Sequence, residues 1–380
     1  MARIAEHLSK KYQVTVLTSL PSYPTGILPK EYQGKLWDTQ FENNVRIIRI
    51  WDLPTANKGF IKRSLNHIVF CLAAAIGVSA MEQYDLVIVS SPSFLSVLAG
   101  ILAAKVGKGK FIFDVRDLWP DSAFELGYKV NPFIRWSLKT LEKYFYRKSN
   151  KIFTATEEIK KTIINMHIPS NKVVTLVNTV DIDVFKPIKV SRVKLNIDID
   201  DFAIVYVGSL TQVQNLGTVL QAAETLKKYP KIKFLLIGEG EDKDNLIARA
   251  KKLKLTNVRF IDGQPTEKII EYMNAANVGL ISLSTNKFFS DNALPTKTSE
   301  YLGCGRPIVA CAGKTLKELI ETNKVGQVVS PGDSKMLSET ILKLYQNPKL
   351  VQEYSKNARR LATEKFSDQK FYQILDENLT

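Results

Sequence analysis

Residues 201–226 read DFAIVYVGSLTQVQNLGTVLQAAETL. Ala203 to Val207 is a short apolar, β-branched run, Gly208 closes it, and a 3.6-period segment begins near Leu216. That order predicts a buried strand, a turn and a helix, the repeating unit of a parallel α/β sheet. The pattern continues downstream, with strands expected at Lys233 to Ile237, Val258 to Ile261, Val278 to Leu283, Pro307 to Ala310 and Gly326 to Val329. Helices are expected between them at Asp242 to Leu253, Thr266 to Asn274, Thr296 to Leu302 and Leu316 to Thr322.

Upstream lies a second series of the same kind. Strands are expected at Gln13 to Thr18, Val45 to Trp51, Leu86 to Ser90, Phe111 to Val115, Lys151 to Ala155 and Val173 to Val177, with helices at Ile61 to Met81, Ser93 to Val106, Pro132 to Lys148 and Glu157 to Met166. Two series in 380 residues fit two doubly wound domains of ordinary size. The hinge is placed in Asn178 to Pro187, NTVDIDVFKP, which gives a first domain of 1–186, a second of 187–365, and a final helix in 366–380 that crosses back. Ligands of open α/β sheets bind beyond the carboxyl ends of the strands, so the chemistry is expected in a cleft shared by two such sheets.

Composition excludes several classes. With 45% hydrophobic and 24% charged residues the chain is neither collagen-like nor disordered. Cys71, Cys304 and Cys311 are too few for a disulfide scaffold and show no C-x-x-C spacing, which favours a reducing cytoplasm. The first residues carry no apolar h-region, so no secretory signal is expected. The net charge is +15, and residues 1–186 hold 25 basic against 16 acidic groups. Such an excess suits an anionic lipid surface or a diphosphate. Nucleic acid is not expected, because no helix-turn-helix, finger or RNP-type motif accompanies the charge. Ile68 to Met81 is apolar for too short a distance to span a bilayer, and is read as a core helix or one lying at a membrane surface beside Lys58, Lys62 and Arg63. Phe133 to Lys151 mixes aromatics with Arg135, Lys139, Lys143, Arg147 and Lys148, a solvated face or a second basic-aromatic contact.

Three places can carry chemistry. Gly208 and Ser209 precede a helix, so a phosphate can approach the glycine backbone near unpaired N–H groups; an ordinary turn reads the same way. Gly238 opens a G-E-G after the next strand, short of a dinucleotide fingerprint. Lys297 and Glu300 stand three apart at a helix start and share a face, where a cation can neutralise a phosphate and a carboxylate can hold a ribose diol. An idle surface ion pair is the alternative. In the first domain Asp114, Arg116 and Asp117 cluster at a strand end, and Asp121 either serves the site or caps the next helix. Ser90-Ser91-Pro92-Ser93 ends the preceding strand, to bind an anion or cap a helix. The two D-x-D runs, at Asp181 and Asp198, and the three scattered histidines give no metal-ligand pattern.

Taken together, Asp117 to Ser122 (DLWPDS), Pro295 to Tyr301 (PTKTSEY), Asn178 to Asp181 (NTVD) and Lys365 to Ser367 (KFS) resemble the GT-B glycosyltransferases of retaining family four over nearly the whole chain. The subgroup most similar is the bacterial one that adds N-acetylated deoxyhexoses such as fucosamine in O-antigen and capsule assembly. The resemblance implies a UDP-sugar donor in the second domain. Glu300 would take the ribose hydroxyls. Thr296 and Lys297 with nearby backbone would face the diphosphate, Gly208, Ser209, Gln214 and Gly238 would complete the donor-binding set, and Gly263, Gln264 and Pro265 would border the base. It also implies a polyprenyl-diphosphate-linked acceptor at the first domain, Arg116, Asp117 and Lys297 as catalytic residues, transfer with retention, no cofactor and no metal, and a cytoplasmic enzyme peripheral on the inner face of the plasma membrane.

The chain departs from the family pattern in four ways. Ser209 and Gln214 replace a common Arg and Lys, Asn292 replaces the first Glu of E-x7-E, and Arg116 replaces a His. The chain also begins on a helix, Ala2 to Lys11, where the family places a central strand and glycine-rich loop first, and loss of that strand would leave its neighbours' backbone groups unpaired. Two other readings stay open at this level: a nucleotide-sugar epimerase of the same architecture, and an inactive membrane-associated assembly partner.

Overall fold

The computed structural model describes residues 2–22, 26–53, 60–79, 83–91, 94–127 and 130–379, apart from the side chains of 60–64, 67, 78 and 79. The expectations for Lys58, Lys62, Arg63, Pro92 and Ser93 fall outside what is described. The chain divides into two units, Met1–Leu176 with Asn378–Thr380, and Val177–Glu377.

The first unit runs α1 (Ala2–Leu8), β1 (Val14–Ser19), β2 (Trp37–Glu42), β3 (Val45–Ile50), α2 (Phe60–Ser79), β4 (Leu86–Ser90), α3 (Ser96–Gly107), β5 (Lys110–Val115), α4 (Asp121–Glu125), α5 (Pro132–Lys148), β6 (Lys151–Thr154), α6 (Glu157–Asn165) and β7 (Val173–Thr175). Its strands form two sheets, ordered β1-β3-β2 and β4-β5-β6-β7. Among the described residues β1 and β4 are each paired along one edge only. Their side chains are half-buried throughout, whereas β5, with strands on both sides, is buried from Phe111 to Val115. The first series was expected to be parallel, but β2 runs antiparallel to β3. This strand, WDTQFE, is exposed on both faces at a sheet edge and therefore lacks the alternation that marks a strand in sequence.

Local chemistry sets the helix starts. Asn131 caps α5 by accepting from the N–H of Phe133 at 2.8 Å, with Pro132 at the first helical position, and Thr156 caps α6 through Ile159 at 3.2 Å. α2 and α3 pack side by side: the Cys71 thiol donates to the Leu95 carbonyl at 3.0 Å, and Ala74 and Ala99 share one buried cluster with Ile48 and Ile50. That contact leaves an exposed apolar stripe on each helix, Leu65, Ile68, Leu72 and Ile76 on α2 and Leu98, Leu102 and Val106 on α3. The helical spacing of both sets puts each on a single face.

The second unit runs β8 (Phe202–Val207), α7 (Leu216–Thr225), β9 (Ile232–Ile237), α8 (Lys243–Lys252), β10 (Val258–Ile261), α9 (Thr266–Ala275), β11 (Val278–Ser282), α10 (Lys287–Asn292), α11 (Thr296–Gly303), β12 (Ile308–Cys311), α12 (Lys314–Thr322), β13 (Gly326–Val329), α13 (Ser334–Gln346), α14 (Pro348–Lys365) and α15 (Asp368–Glu377). All six strands are parallel, in the order β10-β9-β8-β11-β12-β13. The order reverses at β8, so β8 and β11 flank the switch point at which such sheets bind ligands. One apolar cluster fills each face of the sheet, built around Val205, Ile237 and Ile281 on one side and Ile204, Leu236 and Leu280 on the other.

The NTVD and KFS motifs meet in space. Val180 bridges Ser367, its N–H donates to the Phe366 carbonyl at 2.9 Å, and the Thr179 hydroxyl donates to Asp368 at 2.6 Å. Asp181 accepts from the N–H groups of Asp183 and Val184, which gives that D-x-D a turn-forming role. The final helix α15 lies in the second unit, and the residues after it, beginning with Asn378, join the first, where Lys151 donates to the Asn378 side chain at 3.4 Å.

Candidate active site

The carboxyl end of β8 is built around one lysine. Gly208 ends the strand at φ 141° and Gly238 ends β9 at φ 150°, both in a region that side chains rarely adopt. A Cβ on Gly238 would run into the Gly208 carbonyl, and a Cβ on Gly208 would lie 2.6 Å from the Lys297 Nζ. The absence of both side chains is what lets the ammonium sit against the strand end. Beneath it the Tyr206 ring lies 3.9 Å from Nζ, a cation–π contact. The Tyr206 hydroxyl donates to the Ser209 carbonyl at 2.8 Å and approaches Gln214 Oε1 at 3.4 Å, which ties the turn to the strand.

Lys297 reaches this point because α11 is pinned. Tyr301 is fully buried, accepts from the Val207 N–H at 3.1 Å and donates to the Val205 carbonyl at 3.0 Å, so the helix is fastened to β8 by hydrogen bonds. No side chain caps the start of α11 after Pro295, and its dipole favours negative charge there. Thr296 is exposed at the first position, its carbonyl accepting from the Ser299 hydroxyl.

The electrostatics follow from enclosure. Burial lowers the Lys297 pKa to about 7, opposed by the charge of Glu300. Burial likewise raises Glu300, opposed by Lys297. No hydrogen bond or ion pair joins Lys297 to any described carboxylate, and the Glu300 carboxylate accepts no hydrogen bond among the described residues. An enclosed cation and an enclosed carboxylate, three residues apart and unpaired, are costly to hold unless a ligand satisfies them. The arrangement is not the idle surface ion pair.

A second cluster borders the first. Glu239 follows Gly238, accepts from the Gly263 N–H at 2.9 Å, and is bridged by Lys243 at 2.9 Å; Lys243 also reaches Asp262. Gln264 donates to the Asp262 carbonyl at 3.1 Å, and Pro265 precedes α9. The Leu210 N–H donates to the Glu239 carbonyl at 2.8 Å and couples the two clusters. Sequence reasoning passed over Tyr206, Glu239, Lys243 and Asp262. Tyr206 reads as an ordinary core position, and Glu239 stands inside the G-E-G already noted.

In the first unit, the buried Asp114 accepts from Arg116 Nε and the Ser90 hydroxyl, both at 2.8 Å, while the Ser91 hydroxyl accepts from the Arg116 N–H at 2.8 Å. Arg116 Nη1 also donates to the Leu176 carbonyl at 3.2 Å. Asp117 keeps an exposed edge, yet the protein packed around its carboxylate raises its pKa, and that carboxylate accepts no hydrogen bond among the described residues. Asp121 is not a helix cap, since no side chain caps α4; it pairs with Lys139 on α5 at 2.9 Å. Among the described residues no group of three His, Cys, Asp or Glu is placed to hold a metal.

Residues 187–361 match the family Glycosyl transferases group 1, and residues 1–179 match the Glycosyl transferase 4-like domain. Residues 187–361 belong to the group 1 glycosyl transferases and residues 1–179 to the glycosyl transferase 4-like domains. The amylovoran biosynthesis glycosyltransferase AmsK of Erwinia amylovora is 26% identical over 178 residues, 46% of this chain and 44% of its own, so this chain spans under half of that relative. The N,N'-diacetylbacillosaminyl-diphospho-undecaprenol alpha-1,3-N-acetylgalactosaminyltransferase of Campylobacter jejuni is 23% identical over 307 residues, 79% of this chain and 78% of its own. Anabaena HepE, solved with UDP-glucose, superposes with a TM-score of 0.71 at 15% identity over 97% of this chain and 99% of its own. That likeness establishes the fold, two Rossmann-like domains of the GT-B kind.

Replacing Gly208 by Ala is expected to displace the Lys297 ammonium and, because Gly208 sits at φ 141°, to strain the backbone and lower stability as well. Thermal unfolding checks this; an unchanged melting temperature would contradict the close contact and the strained backbone.

Proposed function

We propose that this protein is a retaining glycosyltransferase that moves a sugar, an N-acetylated hexosamine or deoxyhexosamine, from a UDP-sugar to a lipid-linked saccharide in surface polysaccharide assembly. Its place of action would be the inner face of the plasma membrane. The observation that carries the reading is the Lys297 ammonium, enclosed over Gly208 and Tyr206 without a carboxylate partner at the start of α11. A diphosphate placed there would meet a fixed positive charge, a helix start and glycine backbone together. The names of the Campylobacter relative and of the HepE complex, a transferase to a diphospho-undecaprenol acceptor and a UDP-glucose complex, support the two substrate classes.

In this reading Glu300 takes the ribose hydroxyls, Thr296 and Lys297 with the backbone at Gly208 and Ser209 hold the diphosphate, and Gly263 to Pro265 border the base. Lys297 also supplies the charge that the Arg and Lys replaced by Ser209 and Gln214 would have given. As the sugar–phosphate bond breaks, the departing diphosphate receives the acceptor hydroxyl's proton and directs attack to its own face. Lys297 and the α11 start stabilise the charge that develops, and no metal is invoked. Arg116 and Asp117 would serve the acceptor side.

Glu300→Ala is expected to weaken UDP-sugar binding by about 1–3 kcal/mol through loss of charge-assisted hydrogen bonds. Titration calorimetry measures it, and unaltered affinity would remove Glu300 from the site. Incubation with labelled UDP-sugars and a lipid-linked acceptor tests the reaction: label in the lipid fraction supports transfer, and an altered free UDP-sugar would replace this reading with epimerisation.

A further inference from the structure

The first unit carries a surface that its own packing leaves uncovered. Leu72 on α2 is 61% exposed and Ile76 72%, and from 65 to 77 that helix has no charged residue. On α3, packed alongside, Leu98 and Leu102 continue the apolar face. α3 also packs on α5, whose first turn exposes Phe133 at 71% and Trp136 at 63%, their rings 5.9 Å apart. Isolated exposed apolar residues are ordinary; adjoining helices that each present them are not.

We propose that the outer face of α2 and α3, with the aromatic first turn of α5, rests on an anionic lipid bilayer. The inference supplies the surface that a lipid-linked acceptor requires, and in that respect it rests on the function proposed above. Three observations select a bilayer. Basic groups stand against aromatic rings along α4 and α5, with the Arg135 guanidinium 4.6 Å from the Phe124 ring and Lys148 Nζ 5.7 Å from Tyr144. Aromatic rings with Lys and Arg beside an apolar face are the composition of membrane-interface belts. No helix among the described residues is long and apolar enough to cross a membrane, so the apolar face would lie in the plane of the interface. Against a second copy of the chain stands the charge, since a two-fold contact through this unit would bring two equal positive excesses together.

The test is flotation of the full chain with vesicles of phosphatidylcholine alone or mixed with phosphatidylglycerol, beside UDP-sugar calorimetry. The chain is expected to float with the mixed vesicles, to be released by salt, and to shift tryptophan emission to the blue on binding. The doubly substituted Leu72→Asp, Leu102→Asp chain is expected to partition at least about tenfold less while binding UDP-sugar as before. Phe133→Ala with Trp136→Ala is a milder second variant, expected to lose the emission shift. Equal flotation of wild type and variants, no flotation at all, or a wild-type dimer that Leu72→Asp dissolves would each overturn the proposal. A wild-type chain that binds UDP-sugar but does not float defeats only the docking surface, whereas a wild-type chain that floats but does not bind UDP-sugar defeats the donor site.

Discussion

Lys297→Ala is expected to lower kcat by about 10²- to 10³-fold, the loss typical of removing one preorganised group that stabilises charge in the transition state. The ammonium is worth this much because it is enclosed and no described carboxylate forms a hydrogen bond or ion pair with it, the charge of Glu300 acting on it only through space. Its pKa, lowered to about 7 by burial, adds a signature. A UDP-sugar diphosphate does not titrate near neutrality, and it favours the charged lysine. Below pH 7 the free protein already holds that proton. Above pH 7 binding must take one up, so affinity is expected to fall about tenfold per pH unit until the pKa of the complex is reached. Tyr206 and Tyr301 are both raised by burial and stay protonated through this window, and Glu300 is the opposing charge. Calorimetry across pH 6.5 to 9 reads the slope directly, at roughly one proton per ligand. A flat profile in the wild type, or the same slope in Lys297→Ala, would remove Lys297 from the diphosphate site.

Lys139→Ala is expected to destabilise the first unit by about 3–5 kcal/mol. The Glu142 side chain is 1% exposed and held by Lys139, which also binds Asp121 at 2.9 Å, while Tyr146 donates to its other oxygen at 3.0 Å. Removing the ammonium leaves a buried carboxylate with one neutral partner. Burial already raises the Glu142 pKa, and loss of Lys139 raises it further. An acid whose folded pKa lies above its unfolded value costs stability above the unfolded pKa and nothing well below it. The deficit is therefore largest at neutral pH and shrinks as pH falls toward the ordinary carboxylate range. Denaturant unfolding at two pH values measures it. The paired change Lys139→Met with Glu142→Leu is expected to recover most of the loss, because well-packed apolar residues replace a buried ion pair at little cost. A deficit independent of pH would assign the loss to packing alone.

Much of the donor side is legible in the order of residues. Lys297 and Glu300 share a face by spacing alone, and Gly208 declares itself by closing an apolar run. What the order of residues does not reveal is that Gly208 and Lys297 touch, since the contact depends on Tyr301 fastening α11 to β8 from far along the chain. Asp121 illustrates the opposite difficulty. It stands in the DLWPDS run beside Asp117, yet its side chain turns to Lys139, a partner no local pattern announces.

The sequence by itself determined the alternation of strands and helices, the positions of most helix starts, and the presence of a cation and a carboxylate at one of them. These follow from interactions within a few residues: backbone sterics, capping and the periodicity of apolar side chains. Tertiary structure alone decided that β2 runs antiparallel at an edge, that the first unit's strands fall into two sheets, and that Lys297 is enclosed with no described carboxylate hydrogen-bonded to it. Edge pairing, burial and desolvation depend on which distant segments come to lie together, and a linear pattern carries no record of that.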